Sequence, residues 1–312
     1  MNDKHWVTPY SVQHEDNAIR LLQFSSGVGK PVLVVPPQAG HHSSIADYGP
    51  NQSLVASAVK HTDSPIYAIE WKSCSFDRKD ESIIDLLNQV KIAVEKVNDS
   101  CHLIGLCQGG WLSAIYSSLH PEKVESLTIA GAPIDTHAGS SVLHQITRLP
   151  FLWFKSLVVM SGGIMPGDLM LTGWKSGNPY QHYVKRYQNP TPDTKRFYQW
   201  YDYTQDLAGE WYLWAIDKLF QKNELGRNVL SINSTTVDLR QLSRLSKVNI
   251  VVGEKDDITP PEQSLALLKY VNANVHYTDA GHIGVFMSKN VISNTWNKLF
   301  TSINDAHETN RM

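Results

Sequence analysis

The sequence predicts an α/β fold with a mostly parallel, doubly wound sheet into which one large helical cap is inserted. Three observations predict it. Short apolar strands alternate with amphipathic helices at both ends of the chain. One of these strands runs directly into a glycine-framed turn followed by a helix. The alternation stops near Ile134 and resumes near Val248, leaving an interval of different character.

In chain order, residues 1–30 are polar and suit edge strands, with strand character strongest over residues 17–25. Residues 31–37 (PVLVVPP) form a short β-branched run of the fully buried kind found in parallel sheets. The loop after it, Gln38-Ala39-Gly40-His41-His42-Ser43-Ser44, has the composition of a site. Residues 53–61 read as a helix and residues 65–71 as the next strand. Over residues 81–97, Ile83, Ile84, Leu87, Val90, Val94 and Val97 share one side of a helix. A strand then enters the turn Gly105-Leu106-Cys107-Gln108-Gly109-Gly110, whose helix runs to Pro121, and residues 124–133 form another buried strand. Beyond the interval come a strand at 248–253, the helix PEQSLALLKYV, the strand ANVHYTDAG and a final helix, ISNTWNKLFTSIN. The core is thus assigned to residues 1–135 and 246–312, and the cap to residues 136–245. Residues 151–220 hold 16 of the chain's 30 aromatic residues, which suits either a small core within the cap or an apolar substrate channel. Gly/Pro punctuation (SGGIMPG, SGNP, NPTP) breaks the cap into short pieces.

Composition excludes several function classes. At 312 residues, with 42% hydrophobic and 19% charged residues, the chain is an ordinary globular one. A formal net charge of -2 provides no basic field for nucleic acid. Cys74, Cys101 and Cys107 include no CxxC pair, which argues against a disulfide framework or structural zinc and for a reducing compartment. The N-terminus shows no apolar signal segment, and no apolar run approaches the roughly 20 residues of a membrane helix. A cytoplasmic location with no membrane span is the expectation.

The glycine-framed turn has the form of a nucleophile elbow, which puts the chain on the α/β-hydrolase scaffold with Cys107 at the apex. A thiol nucleophile needs a base, and the base needs an orienting carboxylate, in the chain order nucleophile, acid, histidine. GEKDDITPP offers Asp256 and Asp257, and DAGHIGVF offers His282. The pattern G-x-x-D-x-x-x-P selects Asp256. Asp257 is the alternative acid, or a cap for the helix starting at Pro260-Pro261. Asp135, after an earlier strand, is a further acid candidate. The oxyanion hole should use the backbone N–H of Gln108 and one from Gln38 or Ala39. His41, His42 and Trp111 are candidate substrate contacts. Adjacent histidines in a loop rarely converge on one ion, so no metal is expected. No cofactor is expected either, although a CoA thioester would suit the site as substrate. A cysteine forms a thioester intermediate, which an alcohol or water attacks more readily than an oxygen ester.

GLCQGGWLSAIYSSLHPEKV resembles the nucleophile region of polyhydroxyalkanoate synthases, as do LFQKNELGRN and VDLRQLS. RFYQWYDYTQDLAGEWYL, GEKDDI, GHIGVF and GAPIDT are similar to segments of intracellular polyhydroxybutyrate depolymerases. The resemblance implies Cys107 as nucleophile, Asp256 as acid and His282 as base. It implies first an intracellular polyhydroxyalkanoate depolymerase, a carboxylester hydrolase passing through a Cys107 thioester. Second, it implies a synthase-type acyltransferase using 3-hydroxyacyl-CoA. A silent hydrolase-fold binding protein is the third reading. The implied partners are 3-hydroxyalkanoate polyester or 3-hydroxyacyl-CoA, with association to a polyester granule surface.

Overall fold

A computed structural model describes residues 6–176, 180–184 and 191–309; the SGNP and NPTP punctuation lies in part outside them. Eight strands form one sheet: β1 (Ser11–Glu15), β2 (Ile19–Ser25), β3 (Val32–Val35), β4 (Ile66–Trp71), β5 (Cys101–Leu106), β6 (Val124–Ala130), β7 (Lys247–Gly253) and β8 (Asn274–Thr278). Their order across the sheet is β1-β2-β4-β3-β5-β6-β7-β8. The pairings β1–β2 and β2–β4 are antiparallel, and those from β4 to β8 are parallel. Every residue of β3 and β5 is buried, as expected of central strands covered on both faces.

Helices α1 (Leu54–His61), α2 (Ile83–Val97) and α3 (Gln108–Leu119) supply the crossovers. Their starts are set locally. Ser53 Oγ accepts the Ala56 N–H at α1, and Ser82 with Asp85 forms a reciprocal capping box at α2. One apolar layer joins the sheet to Leu86, Val90 and Val94 of α2 and Leu112 and Ile115 of α3. The other joins it to Leu54 and Val55 of α1 and to Trp296 and Phe300 near the C-terminus.

The inserted segment contains the helices Phe151–Met160, Gly167–Ser176, Pro192–Tyr201 and Gly209–Ala215. Among the described residues its aromatics do not close a core of their own. Ile164, Met165, Leu207 and Trp211 enter the first layer, whereas Leu171, Trp200 and Tyr201 enter the second. Helices of seven to ten residues each have too little apolar surface to seal an independent core, so they extend the existing layers. Leu152, Trp153, Val159 and Met160 are left exposed on the helix Phe151–Met160. Among the described residues no helix is long and apolar enough to cross a membrane.

Candidate active site

The site begins where β5 ends. Cys107 has φ 52° and ψ -118°, a left-handed conformation that costs a residue with a Cβ of order 1–3 kcal/mol. The surrounding packing enforces it. A Cβ on Gly109 would lie 1.9 Å from the Val35 carbonyl oxygen, and one on Gly105 would lie 2.4 Å from that of Gly109. Only glycine lets α3 approach β3 and β5 closely enough to hold the thiol at the apex.

The acid and the imidazole arrive from the carboxyl ends of the next strands. Beyond β7 the chain turns so that Asp256 Oδ1 accepts the N–H groups of Ile258 (3.0 Å) and Thr259 (2.8 Å). These two bonds aim the other carboxylate oxygen. Asp256 Oδ2 lies 2.8 Å from His282 Nδ1, and His282 Nε2 lies 3.2 Å from Cys107 Sγ. The Phe286 ring stands edge-on to the imidazole, 5.4 Å between centroids, and limits its rotation. Asp256 and His282 are both buried, and Cys107 is half-buried. Burial alone would lower the imidazolium of His282. The facing Cys107 sulfur and the Asp256 carboxylate outweigh that and push it up to about 10. The other two thiols are buried away from such partners, and burial pushes Cys74 up to about 11 and Cys101 up to about 12. A thiol, an imidazole and a carboxylate in series are the parts that covalent acyl transfer requires.

The remaining acid candidates lie elsewhere. Asp257 is exposed and does not cap the following helix, whose N-cap is Pro260 without a side-chain bond. In the loop after β6, Asp135 accepts from Asn223 Nδ2 of the inserted segment (2.7 Å) and from Lys269 Nζ, which follows β7 (3.2 Å). These donors outweigh the opposing effect of burial and hold its carboxyl below the usual range.

The two loop histidines diverge. His42 is buried, with Nε2 3.2 Å from Glu70 and Nδ1 accepting the Ser44 N–H, so both ring nitrogens are engaged within the protein. Glu70 also accepts from Trp6 Nε1 (3.0 Å) and Arg20 Nη1 (2.9 Å), a buried polar cluster that sequence reading missed. Its signal was a lone carboxylate inside the apolar strand IYAIEW. His41 turns the other way, against Trp200 and Tyr201 of the cap (4.6 and 4.5 Å between centroids), and its residue pairs with Thr204. Burial lowers its pKa to about 4, so the ring is neutral there. Trp111 is enclosed by α3's surroundings. It is 2% exposed and packs on Trp214, because α3 is buried on all sides along Gln108–Ser118.

Both oxyanion candidates in the loop, the N–H groups of Gln38 and Ala39, donate to one atom, Oε1 of Gln108 (2.7 and 2.6 Å). Among the described residues no group of three or more His, Cys, Asp and Glu side chains is placed to hold a metal ion.

Comparison with known proteins gives the chain its relatives. The profile of the family described as "Protein of unknown function (DUF3141)" matches residues 23–307. The poly(3-hydroxyalkanoate) polymerase subunit PhaC of Haloferax mediterranei is 26% identical over 93% of this chain and 62% of its own length. The protein of the same name from Synechocystis sp. is 28% identical over 91% of this chain and 81% of its own. The chain therefore spans less than two thirds of the Haloferax protein. Among solved structures, the monoacylglycerol lipase of Paleococcus ferrophilus superposes with TM-score 0.60 at 16% identity, covering 93% of this chain and 99% of that one. The chain belongs to the family described as "Protein of unknown function (DUF3141)", has the α/β-hydrolase fold, and is related in sequence to poly(3-hydroxyalkanoate) polymerase subunits.

Proposed function

We propose that the protein is an acyltransferase of the polyhydroxyalkanoate synthase kind, working through a thioester on Cys107. The observation that carries this reading is the series Cys107–His282–Asp256, held at 3.2 and 2.8 Å with sulfur at the apex. In the first step Cys107 Sγ, its proton already resting on His282 Nε2, attacks the carbonyl carbon of a 3-hydroxyacyl-CoA. The tetrahedral oxyanion is received by the backbone N–H of Gln108 and the loop beyond β3. Collapse breaks the carbon–sulfur bond to CoA, and His282 returns its proton to the departing thiolate. In the second step the hydroxyl of a chain end gives its proton to His282 and attacks the Cys107 thioester, lengthening the polyester by one unit. Asp256 keeps Nδ1 protonated and the ring in place throughout.

Hydrolysis uses the same acyl-enzyme with water as the acceptor, so the depolymerase reading comes second. What supports transfer over hydrolysis is the polymerase name carried by the two relatives above and the preference of a thiol for thioester exchange. The exposed apolar residues Leu152, Val159 and Met160 of the helix Phe151–Met160 support a polyester granule surface as the place of work.

The two readings separate when purified protein is given 3-hydroxybutyryl-CoA in one reaction and amorphous polyester granules in another. Transfer is expected to release CoA with polymer growth. Monomer release from granules without CoA turnover would reverse the order.

A further inference from the structure

Gln108 follows the nucleophile, and its side chain turns back over the loop beyond β3. Its Oε1 takes both the Gln38 and the Ala39 N–H, at 2.7 and 2.6 Å. On this scaffold an N–H from that loop and the N–H of Gln108 itself receive the oxygen of the tetrahedral intermediate. The carboxamide oxygen therefore occupies the loop N–H groups that the acyl oxygen of a substrate would use. It also mimics that oxygen in kind, being an sp² carbonyl oxygen accepting from backbone amides. The other end of the same carboxamide is not provided for: Gln108 is 6% exposed, and its Nε2 is buried with no hydrogen-bond partner. A bracing side chain is normally satisfied at both ends, because an orphaned buried N–H₂ is unfavourable. Here one end is held by the loop and the other by nothing, which makes the occupant easy to exchange.

We propose that the Gln108 side chain is the resident occupant of the oxyanion site and a specificity-determining residue for acylation of Cys107. This rests on Cys107 being the nucleophile. A neutral ester or thioester oxygen that replaces Oε1 exchanges one pair of N–H···O=C bonds for another and gains little. The oxyanion formed on attack gains charge-assisted bonds that the carboxamide cannot match. Acyl donors that develop negative charge readily on the carbonyl oxygen, as thioesters and activated aryl esters do, displace Gln108, whereas unactivated alkyl esters are disfavoured.

The test compares wild type, Gln108→Ala and Gln108→Met under single-turnover conditions. Acylation by 4-nitrophenyl butyrate and by ethyl butyrate is measured beside alkylation of Cys107 by iodoacetamide, which builds no oxyanion. Methionine preserves the bulk of the buried side chain should alanine fail to fold. Removing a competing occupant is expected to raise the acylation rate constant by roughly 10-fold, more for the alkyl ester than for the aryl ester, with alkylation within about 2-fold. Slower or unchanged acylation in both variants at normal alkylation would overturn the proposal and make the carboxamide a brace. A wild-type Cys107 that neither acylates nor alkylates faster than Cys74 and Cys101 would instead remove the nucleophile reading on which the proposal stands.

Discussion

Asp256 and His282, 26 residues apart, are joined by a 2.8 Å bond whose direction is fixed from behind by the backbone of Ile258 and Thr259. The neighbouring Asp257 has no such support and faces solvent.

Replacing the two aspartates should therefore have unequal effects. Asp256→Asn is expected to lower kcat/KM for acyl transfer by about 10²–10⁴-fold, because the amide no longer holds the imidazole in its working tautomer. Asp257→Asn is expected to stay within about 2-fold of wild type, as surface substitutions usually do. Steady-state kinetics on both variants decide this, and the reverse ranking would move the acid to Asp257.

The protonation of His282 gives a pH signature. Its folded value, about 10, lies above the free imidazole value of 6.5. Its contribution to stability is therefore fully present below about pH 6.5 and is lost as the pH rises through about 10. Because the Cys107 sulfur is one of the groups that raise it, Cys107→Ala is expected to bring the titration down. The imidazole carbon-bound proton, followed by NMR from pH 5 to 11 in both proteins, reports this; identical midpoints would mean that the sulfur does not act on the ring.

His41 shifts the other way. Burial against Trp200 and Tyr201 lowers it to about 4, so the folded state gains from a neutral ring above about pH 6.5 and loses that gain as the pH falls toward 4. His41→Phe is expected to flatten this acid limb in a plot of Tm against pH. A variant as acid-sensitive as wild type between pH 6.5 and 4 would exclude His41 as its source.

The elbow should tolerate no side chain at Gly109. A methyl group placed 1.9 Å from the Val35 oxygen must push α3 off the sheet. Gly109→Ala is expected to destabilise the fold by about 3 kcal/mol or more, in the range of severe overpacking. Urea unfolding of the variant measures it, and a loss below 1 kcal/mol would show that the helix can shift freely.

How much of this could be read from the chain depended on the kind of signal. The strand–helix alternation, the glycine frame of Cys107 and the order of acid and imidazole are written in local composition and spacing; the sheet order agrees with the alternation, and the fold brings Asp256, His282 and Cys107 side by side. Properties set by tertiary packing were not visible. Trp111 stands four residues after Cys107 in sequence yet is core, because α3 is enclosed all round. Glu70 looked like one polar residue in an apolar strand, and only the fold brings Trp6, Arg20 and His42 to it. The Gln108 side chain could equally have faced solvent; its return to Gln38 and Ala39 is a rotamer choice, which no periodicity encodes.

The nucleophile is tested most directly by mass. Wild type and Asp256→Asn are mixed with 3-hydroxybutyryl-CoA, quenched in acid, digested and mapped. One hydroxybutyryl group on the peptide containing Cys107 is expected, formed more slowly in the variant and absent from the peptides of Cys74 and Cys101. CoA release with an unmodified Cys107 peptide at every time point, or equal labelling of all three cysteines, would contradict a Cys107 acyl-enzyme.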